Sequence, residues 1–520
     1  MAAKGLTKWI IVITTISATI LELIDTTIVN VALSQISGNL GATIEDTSWV
    51  VTAYAIANVI VIPLTGFLGS YFGRKNYYFA SILLFTLSSF LCGNSTSLEE
   101  LVFFRFIQGI GGGALLSTSQ SILFDAFDIK DRPIAAAIFG MGVIIGPTVG
   151  PTLGGYIVDN FHWSLIFDIN VPIGLIAAFL VFTFIEKKPE EHNIDRKKIH
   201  IDTLGIVLLS IWVGALQYIL ERGQAEDWFE AKHIIVLTVV TVIAFVWFIW
   251  HELHTEHPAI NLRVLQNGTL AVTTIFTFIM GFGIYCSMYV YPVWMQQFMG
   301  YTPTLTGVSL FPGALLSAVL MPFVGKSLQR GVAPKYLIMI GFSMFAVFCF
   351  WMSGASPEAG FAFFFMPLML RGVAMSSLSV PLSNQAVSGL SSEKMPQGIA
   401  INNMMRQLGG AFGIAMMNTY LARTFAANRG HLISYVTPDS PDVLDRLNAF
   451  ISGFVAKGMS LADAQHAAYG MLEKMVDKQA YLLTYLESFR LVGAFFVCIL
   501  PLLLFVKPVK VTAKIDDAGH

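Results

Sequence analysis

The sequence predicts an all-α polytopic membrane protein, and its composition is the first reason. Hydrophobic residues make up 55% of the 520-residue chain, and the mean hydropathy is +0.68. Charged residues make up only 12% of the chain, whereas soluble proteins contain about 25%. So few charges cannot cover the polar surface of a soluble chain of this length. The composition therefore excludes a disordered chain, a nucleic-acid binder and an ordinary soluble enzyme.

The second reason is a series of fourteen apolar runs along the chain. A membrane-spanning helix needs roughly 20 mainly apolar residues, and in hydrocarbon every backbone polar group must be satisfied within the segment. The runs lie at 9–31, 48–69, 78–96, 101–124, 133–158, 165–185, 203–220, 233–250, 268–294, 304–325, 335–353, 361–387, 397–422 and 483–506. We therefore expect fourteen transmembrane helices.

The basic residues predict the orientation of these helices. An even number of spans puts both termini on one side, and Lys and Arg are concentrated in cytoplasmic loops. With both termini in the cytoplasm, most of the 31 Lys and Arg residues fall on that side, and the short loops of the other side hold only Arg222 and Lys232. The sequence thus predicts a multi-pass protein with both termini in the cytoplasm.

One long segment, 424–482, is predicted to lie outside the membrane. It contains two amphipathic stretches, 443–457 and 461–479, and Ser460 with Asp463 forms a helix-capping pattern for the second. We expect a periplasmic helical hairpin. Two interpretations stay open, a solvated loop and a docking surface for a partner outside the membrane.

Charged side chains inside the predicted spans are candidates for function, because charge is costly in a bilayer. Glu22 and Asp25 are three residues apart in the first span, so they share one helix face, and Arg105 lies in the fourth span. A carboxylate held between burial, which favours its neutral form, and a nearby cation, which favours its charged form, loads and releases protons near neutral pH. We predict that Asp25 is the main proton site, assisted by Glu22 and tuned by Arg105.

These assignments have alternatives. Asp25 and Arg105 could instead form a static ion pair that pins two helices together. Glu22 is either a second proton carrier or the group that recognises a cationic substrate.

Glycine-rich segments are predicted to shape the packing of the first half. The segment from Gly66 to Gly73 joins spans two and three, and Arg74 and Lys75 after it anchor the loop to the cytoplasmic side. Arg105 is followed by the glycine-rich stretch that begins at Gly109. The fifth span has glycines four residues apart, which give one smooth face for close packing, and prolines that should kink the helix. These residues are Gly142, Gly146, Gly150 and Gly154, with Pro147 and Pro151 between them.

Together these motifs resemble the signature set of the major facilitator superfamily, and the Gly-Pro motif of the fifth span resembles the one that marks its antiporters. Segment 23–33, which contains Asp25, resembles the first-span motif of the fourteen-span drug:proton antiporters. The resemblance implies a major facilitator fold of six plus two plus six helices. Its parts are an N-terminal half at 1–186, a linker with two inserted helices at 187–262 and a C-terminal half at 263–520.

The resemblance also implies an activity and partners. It predicts a proton-coupled antiporter that exports hydrophobic or amphipathic drugs and toxic compounds across the bacterial inner membrane by alternating access, with no cofactor beyond the proton gradient. A periplasmic membrane-fusion adaptor (EmrA-like) and an outer-membrane channel (TolC-like) are the implied protein partners. The alternative is an exporter of one endogenous molecule, such as a fatty acid, a siderophore or a metabolite, on the same fold.

One position departs from the family pattern at the loop between spans two and three. Four positions after the first glycine of that motif, where an acidic residue is usual, this chain has Ser70. In many members of the superfamily that acid is thought to pair with an arginine and lock the cytoplasmic gate, so Ser70 puts this lock in doubt.

Candidate substrate contacts lie in three spans. The thirteenth span carries a polar stripe within an apolar helix, and aromatic residues of the ninth span suit bulky or cationic compounds. The candidates are Tyr285, Tyr289, Tyr291, Asn403, Arg406 and Gln407, together with Asn30 from the first-span motif. The alternative for the aromatic residues is an interfacial belt or a lipid-facing surface, which we favour for Trp294.

Two further motifs suggest other chemistry but fit poorly. Segment 109–114 formally fits a dinucleotide fingerprint, but it follows an apolar helix rather than a strand. Segment 251–257 is rich in His and Glu but lacks the spacing of a zinc protease. We therefore expect neither a nucleotide nor a catalytic metal, and no enzyme activity.

Overall fold

The structure is a computed structural model, and it describes residues 5–187, 201–356, 359–437 and 439–505. The described residues form α-helices and contain no strand, which confirms the predicted all-α class. The basic residues of segment 188–200 and of the two ends of the chain, which support the predicted orientation, lie outside the described residues.

The helices follow the order of the predicted spans. The first six are α1 (Leu6–Leu40), α2 (Trp49–Phe72), α3 (Arg74–Gly93), α4 (Leu98–Asp125), α5 (Arg132–Asn160) and α6 (Asn170–Phe184). Two helices follow the gap, α7 (Thr203–Arg222) and α8 (Lys232–His254). The rest are α9 (Gly268–Val293), α10 (Pro303–Gln329), α11 (Pro334–Met352), α12 (Phe361–Gln385), α13 (Met395–Ile433), α14 (Pro441–Ala456) and α15 (Leu461–Phe505).

Within the described part of the chain, 13 helical segments are long and apolar enough to cross a membrane. They are α1 to α12 and α15, with the short helix Leu165–Asp168 counted together with α6. Helix α13 has 39 residues but falls outside this set, since polar side chains interrupt its apolar sequence. The count of fourteen spans and the cytoplasmic position of the termini therefore stay predictions.

The glycine face of α5 packs directly on α1. A Cβ atom placed at Gly146 would lie 2.6 Å from the Cβ of Leu23, and one at Gly154 would lie 2.7 Å from the side chain of Ile28. Gly150 meets Thr27 equally closely, whereas a Cβ atom at Gly142 would make an ordinary contact with Ile16 at 3.4 Å. Helix α5 continues through Pro147 and Pro151 as a single helix. The spacing of four residues thus lets the two backbones approach closely.

The two sets of six helices meet over two apolar clusters at the predicted cytoplasmic face. One cluster joins Phe124 and Ala137 of the first set to Val387 and Ile399 of the second. The other joins α2, α7 and α8 to α13. The two sets also touch where α5 packs on α10 and α12 and where α4 packs on α13. The contact between α5 and α10 continues to the opposite end of both helices, where Gly307 meets Thr152. The halves are therefore sealed together at the predicted cytoplasmic face.

The core of the second half corrects one expectation. Trp294 is fully buried and its ring packs against Phe298, Phe364 and Phe489. The prediction that Trp294 lies in an interfacial belt or faces lipid is therefore wrong. The sequence pattern is the same for both environments, since an aromatic residue near a helix end suits a packed core as well as an interface.

The inserted helices contact both halves at the predicted periplasmic face. Arg222 at the end of α7 donates a hydrogen bond to the hydroxyl of Ser48, 2.8 Å away. In the loop that follows, the indole nitrogen of Trp228 donates to the hydroxyl of Thr419 on α13 at 3.0 Å. Asp227 and Trp228 both adopt positive φ angles of 53° and 54°, a strained conformation for residues other than glycine.

The described residues of segment 424–482 are mostly helical. Helix α13 extends to Ile433, α14 follows, and α15 begins at Leu461 and continues without a break into the last span. Arg429 of α13 bonds the carboxylates of Asp477, at 2.6 Å, and Glu473, at 2.8 Å, on α15. The hydrogen bond with Asp477, together with the negative charge of the two carboxylates, raises the pKa of the Arg429 guanidinium above its usual value. These pairs hold the two long helices together beyond the predicted membrane boundary.

Candidate functional site

Asp25 and Arg105 form a buried ion pair between α1 and α4. An Arg105 guanidinium nitrogen donates to a carboxylate oxygen of Asp25 at 2.6 Å, and the two side chains are 1% and 0% exposed. Charges this deeply buried are tolerated only when they are paired and hydrogen-bonded. The structure thus brings together two residues that the sequence singled out.

Further polar side chains complete this network. Gln108 and Asn170 donate to the second carboxylate oxygen of Asp25 at 3.0 and 2.8 Å. Arg105 also donates to Gln108 at 2.8 Å and to the backbone oxygen of Val50 at 3.1 Å. Both oxygens of Asp25 are therefore occupied by donors from α4 and α6.

Glu22 lies one turn earlier on α1, in a less complete environment. The amide nitrogen of Asn58 on α2 donates to one Glu22 oxygen at 3.1 Å. Among the residues that the structure describes, the other Glu22 oxygen and the carbonyl oxygen of Asn58 have no hydrogen-bond partner. Both side chains are buried. An unsatisfied buried acceptor is costly, so this position is suited to receive a proton or a donor from a ligand.

Arg406 of α13 faces this acidic position from the second half. Its side chain is buried, and within the described chain its Nε atom has no partner. The guanidinium lies within electrostatic range of Glu22 and of Tyr285. Opposite charges from the two halves thus lie near each other at the centre of the molecule.

The other predicted residues of α13 also contact neighbouring helices. Asn403 donates to the side chains of Ser117, at 3.2 Å, and Gln120, at 3.0 Å, both on α4. Gln407 accepts a hydrogen bond from the hydroxyl of Tyr285 on α9 at 3.0 Å. Asn403 therefore bridges the two halves, while Gln407 links α9 and α13 within the second half.

The remaining substrate candidates are dispersed. The hydroxyl of Tyr289 donates to Asn418 at 3.2 Å, and Tyr291 is fully buried with its hydroxyl 2.7 Å from that of Ser309. Asn30 is exposed two turns beyond Glu22, and its amide lies 3.4 Å from the backbone oxygen of Thr26. The structure brings Tyr285 near Arg406 but places Tyr291 in the core of the second half.

The loop between α2 and α3 is tied to the first half. Gly73 has a φ angle of 83°, which favours glycine. Arg74 forms an ion pair with Asp125 at the end of α4. Lys75 donates to the backbone oxygen of Phe182 at 2.7 Å. On α4, Gly109 packs against the backbone of Tyr54.

Sequence reasoning missed three members of the site, Asn58, Gln108 and Asn170. Each is a polar residue inside an apolar run, and Gln108 follows Arg105 by one helical turn. A polar residue within an apolar run was therefore the signal that could have identified these three residues. Pairing Asn170 with Asp25, which lie 145 residues apart, required the fold.

The His- and Glu-rich segment 251–257 has structural contacts. His251 lies 2.7 Å from the carboxylate of Asp202, and Glu252 accepts from the backbone nitrogen of Ile260 at 3.2 Å. In the described part of the chain, no group of three or more His, Cys, Asp or Glu side chains is arranged to hold a metal ion.

Comparison with known proteins agrees with this architecture. The model of the Major Facilitator Superfamily matches residues 15–414. The chain therefore belongs to the major facilitator superfamily.

Several relatives within this superfamily match almost the whole chain. Multidrug export protein EmrB of Escherichia coli (strain K12) is 33% identical over 495 residues, which cover 94% of each chain. Probable multidrug resistance protein EmrY of the same strain is 30% identical, covering 97% of this chain and 96% of its own. Fatty acid resistance protein FarB of Neisseria gonorrhoeae is 28% identical, covering 94% of each.

Solved structures show the same fold at low sequence identity. The human organic anion transporter MFSD10 (TETRAN) has a TM-score of 0.57 and 13% identity, covering 95% of this chain and all of its own. The proton:xylose symporter XylE has the same TM-score and identity, covering 95% and 96%. These likenesses support the fold alone.

Proposed function

We propose that this chain is a proton-coupled antiporter of the bacterial inner membrane that exports hydrophobic and amphipathic compounds by alternating access. The observation that carries the proposal is the arrangement of the two carboxylates on α1. Asp25 is held in a fully bonded network, and Glu22 one turn away keeps an oxygen that has no partner among the described residues. The similarity to EmrB and EmrY, which are named for multidrug export and resistance, supports the substrate class.

In the proposed cycle, Asp25 is the main proton site. Its ionised form is held by Arg105, Gln108 and Asn170. A proton on Asp25 removes the charge that holds Arg105, which loosens the contact between α1 and α4. Charge-assisted hydrogen bonds are roughly twice as strong as neutral ones, so protonation changes the balance between conformations.

Glu22 and Arg406 are the proposed substrate-facing charges. A cationic compound that binds ionised Glu22 competes with a proton for the same group, and that competition couples export to proton entry. Arg406 belongs to the opposite half and is near enough to act on Glu22. A ligand between them would contact both halves, so its binding would depend on the distance between the halves.

The experiment is transport by purified protein in proteoliposomes with an imposed pH gradient. Wild type is expected to accumulate a fluorescent amphipathic cation against its gradient, and an uncoupler should abolish the accumulation. Asp25→Asn should lose the gradient-driven component. Asp168→Asn, a matched change near the start of α6, should retain it. Unchanged gradient-driven transport in Asp25→Asn would refute the assignment.

A second candidate function is export of an endogenous amphipathic acid. FarB, a relative named for fatty acid resistance, favours it. The buried Nε of Arg406, which has no partner in the part of the chain that the structure describes, favours it as well. Competition between a fatty acid and a cationic dye in the same vesicles separates the two candidates. A specific exporter should ignore the dye.

We also propose that the segment containing α14 docks a periplasmic adaptor of a tripartite complex. The paired extensions of α13 and α15 support this proposal, since they carry the segment beyond the predicted membrane boundary. Capture of a purified adaptor by the full chain should be lost when residues 440–480 are replaced by a short linker. Equal capture by both chains would exclude this docking site.

A further inference from the structure

The two halves repeat one arrangement at the predicted cytoplasmic face. Helices α2 and α10 are the second helices of their halves, and both carry the pattern Pro-x-x-Gly near their ends, at Gly66 and Gly325. Each glycine meets the first turn of the fifth helix of the opposite half, which is α13 for Gly66 and α5 for Gly325.

Both contacts are possible only because glycine has no side chain. A Cβ atom at Gly66 would lie 3.1 Å from the Cγ and 3.2 Å from the Cα of Gln397. A Cβ atom at Gly325 would lie 2.8 Å from the backbone oxygen of Pro133. The backbones of α2 and α13, and those of α10 and α5, are therefore in contact at two equivalent places. These contacts close the predicted cytoplasmic face.

Four residues beyond each glycine, the two copies differ. In α2 the hydroxyl of Ser70 donates to the backbone oxygen of Gly66 at 2.9 Å, within its own helix. In α10 the amide of Gln329 crosses to the other half. It donates to the carboxylate of Asp131 at 3.0 Å and to the backbone oxygen of Lys130 at 3.1 Å.

We propose that Gln329 and Asp131 are positioning residues of the transport cycle, and that their hydrogen bonds clasp the two halves at the predicted cytoplasmic face. The clasp must break before that face opens. Gln329 is exposed and Asp131 is half-buried, so water reaches the bond and its net contribution is small. A weak contact suits a gate that opens in every cycle. This inference rests on the alternating access proposed above, but it is independent of the substrate and the coupling ion.

The test measures how often this face opens. Ile399 is fully buried in the cluster that joins the halves, so a cysteine there reports opening through its rate of reaction with a membrane-impermeant maleimide. The full chain in inside-out vesicles is used, with Cys498, which is exposed, replaced by serine. Gln329→Glu places a second carboxylate beside Asp131 and should raise the labelling rate about two- to tenfold.

Rescue and control variants separate a clasp from general damage. Asp131→Asn added to Gln329→Glu restores a donor and an acceptor, and labelling should return to the wild-type rate. Ser70→Ala is the matched control in the other half and should label like wild type. The proposed clasp would be refuted if Gln329→Glu were labelled at the wild-type rate. It would also be refuted if the double variant were labelled as fast as Gln329→Glu alone. Gln329→Ala provides a milder variant with the same expected direction. Labelling requires no transport, so failure of the clasp is distinct from failure of the proposed antiport.

Discussion

Glu22 and Asp25 lie one turn apart on α1, but only Asp25 has hydrogen-bond donors on both carboxylate oxygens. Glu22 has one donor, Asn58, and one oxygen without a partner among the described residues. The same helix face thus presents one carboxylate whose two oxygens are bonded within the protein and one that can still accept a proton or a hydrogen bond. This difference suggests separate tasks, with Asp25 governing conformation and Glu22 meeting the substrate.

The first prediction concerns the strength of the Asp25 network. Arg105→Met leaves the Asp25 carboxylate without its cation, and removing one partner of a buried pair costs about 3–5 kcal/mol. The thermal midpoint of the purified protein in detergent should therefore fall markedly. Asp25→Asn should also lower it, because the Arg105 guanidinium then stays buried without its counter-charge, although asparagine still accepts hydrogen bonds from Gln108 and Asn170.

The double variant Asp25→Asn with Arg105→Met provides the control for this prediction. It removes both charges, so its midpoint should lie above that of Arg105→Met alone. A double variant whose loss equals the sum of the single losses would show that the two residues are not energetically coupled.

The second prediction assigns charge selectivity to Glu22. Glu22→Gln keeps an acceptor for Asn58 but removes the negative charge, so the stability should change by less than about 1 kcal/mol. Transport of permanently cationic dyes should fall severalfold, while transport of neutral compounds is retained. Thr26→Val, one turn further along α1, should leave both unchanged. An equal loss for cationic and neutral compounds would count against this role.

The third prediction concerns the contact between α1 and α5. Gly146→Ala adds a methyl group 2.6 Å from the Cβ of Leu23, and overpacking of this kind costs about 1–3 kcal/mol. The thermal midpoint should fall, and Leu23→Ala in the same chain should restore part of it. Gly38→Ala, at a glycine with open space around it, is the control. A midpoint unaffected by Gly146→Ala would mean that the helices can separate freely here.

The fourth prediction follows from the repeat at the predicted cytoplasmic face. Asp131 immediately precedes α5, and Lys394 immediately precedes α13, so Lys394 is the equivalent partner for position 70. Ser70→Asp should add a second clasp and slow maleimide labelling of a cysteine at position 399. Adding Lys394→Ala should reverse the slowing. Unaltered labelling in Ser70→Asp would show that the two copies of the motif are not equivalent.

Much of the fold was predictable because the bilayer restricts a spanning segment to few solutions. The apolar runs located the helices, and the spacing of the glycines in the fifth span indicated a smooth face. The extent of α13 and α15 was harder to foresee. Both helices continue well beyond the apolar runs, because pairs such as Arg429 with Asp477 stabilise them outside the hydrophobic stretch.

The site was predictable only in part. Asp25 and Arg105 stood out because charge is rare in the spans, and the structure places them in contact. Asn58 and Asn170 were overlooked, since a neutral amide in an apolar run is a weaker signal than a charge. Tyr291 and Trp294 were ambiguous for a different reason, because composition does not tell which side of a helix faces the core.

The measurement that tests the account most directly is proton release on substrate binding. Purified protein in detergent and weak buffer, with a pH-sensitive dye, is mixed with an amphipathic cation at fixed pH. Wild type should release protons, because substrate and proton compete at the α1 carboxylates. Asp25→Asn and Glu22→Gln should each release fewer protons than wild type, because each variant keeps only one of the two carboxylates. Substrate binding to wild type without proton release, or wild-type release from Asp25→Asn, would contradict the proposed coupling.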